Sequence, residues 1–273
     1  MADTDSIREP AVAGLFYPGE PEVLARTVRG LLAACPADEP ADACPKVLVV
    51  PHAGYVYSGR VAAQAYARLA PWAGGISRVV LLGPAHRLAF RGIALPASQA
   101  FATPLGSVAI DNKAAALVRD MPGVRQLDAA HAAEHSLEVQ LPFLQETLGD
   151  FLLLPLVIGD ASDALVADVL DRLWGGPETL IVVSTDLSHY HRWHEARAMD
   201  AETAHCIENL HGSLSHTQAC GAGPLNGLFA AARRHPLSGE LLALCNSGDT
   251  AGDKQRVVGY GAFSFSEVQG HAV

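Results

Sequence analysis

Four short runs of β-branched and aliphatic residues recur along the chain: KVLVV (46–50), RVVLL (78–82), FLLLPLVIG (151–159) and LIVVSTD (180–186). None alternates with polar residues, which fits strands covered on both faces, as in parallel sheets flanked by helices. Helical spacing fills the intervals. Leu24, Thr27, Val28, Leu31 and Leu32 mark one face of a helix opened by Pro21, and further helices are expected at about 60–69, 162–174, 194–210 and 220–234. Leu137, Leu141, Leu144 and Leu148 also share a face, with Pro142 kinking or restarting that helix. Residues 36–45 read as a loop, 92–110 as short strands or hairpins, and 241–246 and 257–265 as the last strands. The expected fold is α/β: a single domain over 1–273 with a mainly parallel mixed sheet flanked by helices.

Composition narrows the function classes. The 273 residues are 49% apolar and 18% charged, with formal net charge −10. No basic cluster exceeds the pair Arg233–Arg234, which speaks against a nucleic-acid partner. The longest apolar run, Phe151 to Ile158, is far short of a membrane span and contains Pro155. The first ten residues lack the basic and apolar regions of a secretion signal, and the five cysteines show no paired spacing. A cytoplasmic protein with reduced thiols and no membrane association is expected.

The histidines say more by placement than by number. His52 follows the first buried run by two residues, His86 the second by four, and Asp186 and His189 follow the fourth. In open parallel sheets the loops after the strands converge at one edge, where ligands bind. Neutral imidazoles delivered by separate rigid elements suit a mononuclear metal site. Glycines 54, 59 and 83 are read as letting the backbone bend beside them. Cys220 precedes an expected helix N-terminus, where the dipole favours a thiolate. His52, His86 and Cys220 would leave coordination positions open, as in a catalytic site. Asp186 and His189 could serve there as orienter and acid/base, and His135 as a second acid/base or substrate contact.

Each residue also has a plain structural reading: a hydrogen-bonded core histidine, a buried cysteine acting as a small hydrophobe, a turn at Asp249 and Asp253, a hydrated loop at His191 and His194. Glu138 reads as a solvated or capping carboxylate. Tyr55 and Tyr57 serve equally as pocket walls or as packing. The other four cysteines read as structural. No Walker loop, GxSxG or CxxC is present.

Seven motifs taken together resemble the Memo family, whose bacterial and archaeal members are called AmmeMemoRadiSam system protein B. They are REPAVAGLFYP (8–18), PHAGYVYSG (51–59), LLGPAHR (81–87), EHSLEVQLPFL (134–144), STDLSHY (184–190), ACGAGP (219–224) and NSGDTAGDKQRVVGYGAFSF (246–265). The resemblance covers about residues 8–266. It implies a fold like that of the class III extradiol ring-cleavage dioxygenases and a pocket of two histidines and a cysteine holding iron or copper. Those positions fall on His52, His86 and Cys220, with Asp186, His189 and His135 as further pocket residues. It also implies association with radical-SAM and AMMECR-type proteins. One departure bears on mechanism: the dioxygenases place a carboxylate where Cys220 stands, and a thiolate is softer.

The leading expectation is a non-haem iron(II) enzyme, with copper second and zinc third, performing dioxygenase-like oxidation of a small molecule. The rivals are a non-catalytic metal- or peptide-binding redox protein and a zinc-type hydrolase.

Overall fold

The computed structural model describes residues 6–35 and 43–268, so most of the expected 36–45 loop lies outside the described residues. In chain order the elements are β1 (Ile7–Arg8), α1 (Pro21–Ala33), β2 (Val47–Val50), α2 (Tyr55–Ala67), β3 (Arg78–Pro84), β4 (Ile93–Leu95), β5 (Ala100–Thr103) and β6 (Gly106–Ala109). There follow α3 (Asn112–Val118), β7 (Val124–Gln126), α4 (Asp128–Ala132), α5 (Leu141–Leu148), β8 (Leu152–Ile158), α6 (Asp163–Leu173) and β9 (Thr179–Ser184). The last are β10 (His189–His191), α7 (Trp193–Glu208), α8 (Ala222–Ala232), β11 (Leu237–Asn246) and β12 (Val257–Glu267).

The main sheet runs β10-β12-β2-β9-β3-β8-β4-β7, with β11 paired to β12, and β1, β5 and β6 form a small second sheet. The four buried runs form its centre, β2-β9-β3-β8, paired parallel throughout. Antiparallel neighbours, β12 on one side and β4 on the other, border that centre. Successive side chains alternate between the two faces. Leu48, Val50, Val79, Leu81, Leu180 and Val182 enter one core, beneath α1, α2 and α5. Val47, Val49, Val80, Leu82, Ile181 and Val183 enter the other, beneath α3, α6 and α8. This explains why the runs carry no polar alternation: both faces are dry. Among the described residues no helix is long and apolar enough to cross a membrane.

Two elements differ from expectation in ways that matter for the site. Helix α2 starts at Tyr55, five residues early, because Gly54 at its N-cap turns the chain directly from the strand end into the helix. Pro142 sits in the first turn of α5, after a short 3₁₀ turn at Glu138–Gln140, so it restarts a helix instead of kinking one.

Candidate metal centre

Because β9 lies between β2 and β3, their three C-terminal loops stand side by side at one edge. They deliver His52, Asp186 and His86. The loop after α4 brings Glu134 and His135 to the same place, the residues before α8 bring Cys220, and β10 brings His189. All six residues named in the sequence reading, His52, His86, His135, Asp186, His189 and Cys220, line one cavity of about 600 Å³. One nitrogen from each of His52 and His86 and the Cys220 sulfur lie within 4.8 Å of one another.

The hydrogen bonds behind these side chains decide which nitrogen faces the cavity. Ser184 Oγ stands 2.9 Å from His52 Nδ1 and 2.8 Å from Gln140 Nε2, and donates its own proton to Ser136 O at 2.6 Å. A hydroxyl has one proton, so toward His52 it can only accept. His52 therefore carries its proton on Nδ1 and presents a bare Nε2, 3.3 Å from Cys220 Sγ. Gln140 is held in turn by Tyr66 Oη at 2.9 Å and Pro51 O at 2.9 Å. On His86 the same result comes from a carboxylate. Glu134 Oε1 lies 3.1 Å from Nδ1, while Oε2 accepts the His86 backbone N–H at 2.6 Å. His189 Nδ1 donates to Leu187 O at 2.8 Å, which leaves its Nε2 as an acceptor too. A metal-binding imidazole needs this arrangement, with the distal N–H tied back and the proximal lone pair free.

The ionisation of the group follows from burial and these contacts. Burial pushes Glu134 up, but hydrogen bonds from the His86 side chain and from the Ser136 and His86 backbone outweigh it, holding the carboxyl at about 2. Burial lowers His52 far below the usual imidazole range and His135 to about 4, so both are neutral at pH 7. Asp186 is raised by burial to about 7, with N–H bonds from His52 and Ala53 opposing the shift. Cys220 overturns the expectation from the helix dipole. Burial, then the neighbouring Asp186, pushes its thiol up to about 12, and hydrogen bonds from Asp186 N–H and the Thr185 side chain only partly compensate. Desolvation outweighs the dipole because Cys220 lies outside the first turn of α8, one residue before its Gly221 N-cap. Two lone-pair-bearing imidazoles and a thiol form a donor set that fits a transition metal, whose positive charge would replace the thiol proton.

Glycines at this edge serve close approach. Gly54, Gly59 and Gly83 all avoid positive φ, so the turn into α2 at Gly54 does not use a left-handed glycine. A Cβ on Gly221 would stand 2.6 Å from Thr185 Cβ and 3.0 Å from Ser184 O. Gly221→Ala should therefore push the Cys220 loop off the end of β9, costing about 1–3 kcal/mol. Thermal unfolding beside metal content checks it, and unchanged values for both would refute the close-packing account.

The remaining expectations divide. His135 stacks on His86, with ring centroids 4.9 Å apart, and its Nδ1 faces Glu134 Oε1 at 3.4 Å without a hydrogen bond. Asp186 makes no hydrogen bond to His189; its Oδ1 accepts the His52 backbone N–H at 2.7 Å, and the Leu187 carbonyl holds His189, which leaves the alternative that Asp186 orients a water. Tyr55 and Tyr57 are not cavity walls. The Tyr55 hydroxyl donates to Val139 O at 2.7 Å in the core beside Phe143, because α2 carries both residues away from the edge. Glu138 is wholly buried and paired with Arg8, since the folded N-terminal arm lies across it. Glu134 was overlooked, as were Ser184 and Gln140. The one signal that could have found Glu134 is a carboxylate directly beside a histidine in the EHSLEVQ segment, because a buried charge needs a partner. Arg87, Tyr190, His191, His216 and Thr217 complete the wall.

Comparison with known proteins agrees with the motifs. The profile of the Memo family, described as Memo-like protein, matches residues 8–264. A MEMO1 family protein of Methanopyrus kandleri is 39% identical over 286 residues, covering 94% of this chain and 98% of its own. One from Aquifex aeolicus is 36% identical over 267 residues, covering 93% and 97%, and one from Methanosarcina acetivorans is 37% identical over 280 residues, covering 94% and 98%. An uncharacterized Escherichia coli K12 protein of known structure covers 79% of this chain and 98% of its own at 13% identity and a TM-score of 0.47, a likeness too loose to bear on function. The chain belongs to the Memo family.

Proposed function

We propose that the chain is a mononuclear metalloprotein holding iron(II), or copper, on His52 Nε2, His86 Nε2 and Cys220 Sγ, and that it oxidises a small organic molecule in the manner of a dioxygenase. One observation carries the reading: both imidazoles are tied by Nδ1, to Ser184 and to Glu134, while one nitrogen of each lies within 4.8 Å of the Cys220 sulfur. A bound redox-active metal would supply the one-electron chemistry that O₂ requires and that no side chain here provides. The chain itself does the rest. His189, its Nδ1 fixed by Leu187 O, offers Nε2 to take a proton from a substrate hydroxyl in the cavity. Half-buried His135, neutral and stacked on His86, forms an adjoining wall and a second acid/base. Asp186 pins the turn carrying His52. A thiolate disfavours hard cations such as magnesium but suits zinc as well as copper and iron, so a zinc hydrolase is the rival that metal analysis separates.

The test is elemental analysis of protein purified anaerobically, beside His52→Ala and Cys220→Ser. Near-stoichiometric iron or copper that both variants lose, followed by O₂ uptake with catechols, is the expected result. Variants that hold metal as tightly as the parent would sink the ligand assignment. Zinc alone, with no O₂ uptake, would move the reading to hydrolysis.

A further inference from the structure

The cavity wall runs against the charge of the chain. The protein carries a net −10, yet the single carboxylate on the wall is Asp186, already occupied by the His52 backbone N–H. Arg87, the residue after His86, contributes an exposed guanidinium to the same wall. That guanidinium has no hydrogen bond or ion pair with any described residue; other surface arginines are also unpaired, and what distinguishes Arg87 is its place on the cavity wall. Tyr190, also on the wall, adopts a left-handed backbone with φ 65°, an uncommon conformation for a bulky residue. Arg256 lies over its ring, 4.9 Å from the centroid, and so adds a second cation beside the wall. Low-dielectric walls of one sign concentrate ligands of the other.

We propose that this cavity selects a small organic molecule bearing a carboxylate, with Arg87 as its counter-ion and the Tyr190–Arg256 pair flanking its entry. The assignment rests on reading this cavity as the substrate site. A guanidinium matches a carboxylate through two parallel N–H donors, and one permanent cation on the wall balances one negative charge. The volume of about 600 Å³ suits a molecule of that class. The two functions occupy different parts of the wall: His52, His86 and Cys220 hold the metal, and Arg87 holds the substrate's charge.

Calorimetric titration of the full chain with benzoate and with benzamide, a neutral molecule of nearly the same shape, tests it in both metal-free and metal-loaded protein. Benzoate should bind about 10-fold more tightly than benzamide in both forms, the size expected of a charged hydrogen bond. Arg87→Met should bring the two ligands within about 2-fold of each other, and Arg87→Lys should restore part of the difference. The proposal is overturned if benzamide binds as well as benzoate, if the preference survives in Arg87→Met, if neither ligand binds saturably, or if phenyl phosphate outcompetes benzoate. A preference that appears only in loaded protein would also overturn it, because the metal would then be holding the carboxylate. A chain that binds no metal but keeps the benzoate preference would refute the metal reading alone.

Discussion

Replacing Glu138 with alanine should destabilise the fold by about 3–5 kcal/mol, the cost of leaving a buried charge without its partner. Arg8 and Glu138 have side-chain exposures of 5% and 0%, so water cannot take over for either. Glu138 accepts from Arg8, from the Ala11 and Val12 backbone N–H groups at 2.7 and 2.9 Å, and from Tyr17 Oη at 2.6 Å. Arg8 also donates to the carbonyls of His131, at 3.1 Å, and Glu134, at 2.6 Å. Removing the carboxylate strands one cation and three neutral donors at once. Urea unfolding measures the loss. The double variant Arg8→Met, Glu138→Leu should recover only the part due to the unpaired charge, since the Ala11, Val12 and Tyr17 donors stay without a partner. A loss below about 1 kcal/mol in Glu138→Ala would mean that the arm carrying Arg8 is not tightly seated.

The second large effect falls on the metal rather than the fold. Glu134→Gln should weaken metal binding by about 10–100-fold, as expected when the partner that orients a ligand histidine is changed. Both carboxylate oxygens act as acceptors here: Oε2 for the His86 N–H, Oε1 for His86 Nδ1–H and for Ser136 N–H at 2.9 Å. An amide turns one acceptor into a donor. With the NH₂ toward His86, the imidazole must move its proton to Nε2, the position a metal needs bare. Chelator competition gives the affinity, and ¹⁵N shifts of the metal-free protein give the tautomer independently. A parent protein already protonated at Nε2 of His86 would overturn the account before any metal is added.

Much of the centre was legible because both-face burial leaves an unmistakable pattern. The four apolar runs are strands, and the polar residues after three of them do meet. The order β2-β9-β3, which sets those loops side by side, was not legible, since a parallel crossover does not announce which neighbour it will reach. Glu138 was misread for a related reason. Its partner Arg8 lies 130 residues away, and no local spacing encodes that contact. Local reasoning also overvalued the dipole at Cys220, because the desolvation that opposes it comes from β9 and the strand-end loops packed around it. Ser184, Gln140 and Glu134 act through hydrogen bonds to other side chains. Their roles became visible only with the direction of each proton.

The donor set joins positions far apart in the chain, with His52 and Cys220 separated by 168 residues. During synthesis His52 and His86 emerge long before Cys220, and they face each other only once β9 has been inserted between β2 and β3. Closing so long a loop is slow and yields nothing until the sheet around it is complete. A nascent chain thus offers an ion no finished cage. The cavity is sealed late, by a fold already assembled, so any metal held as proposed would be chosen by the pool that meets the completed protein.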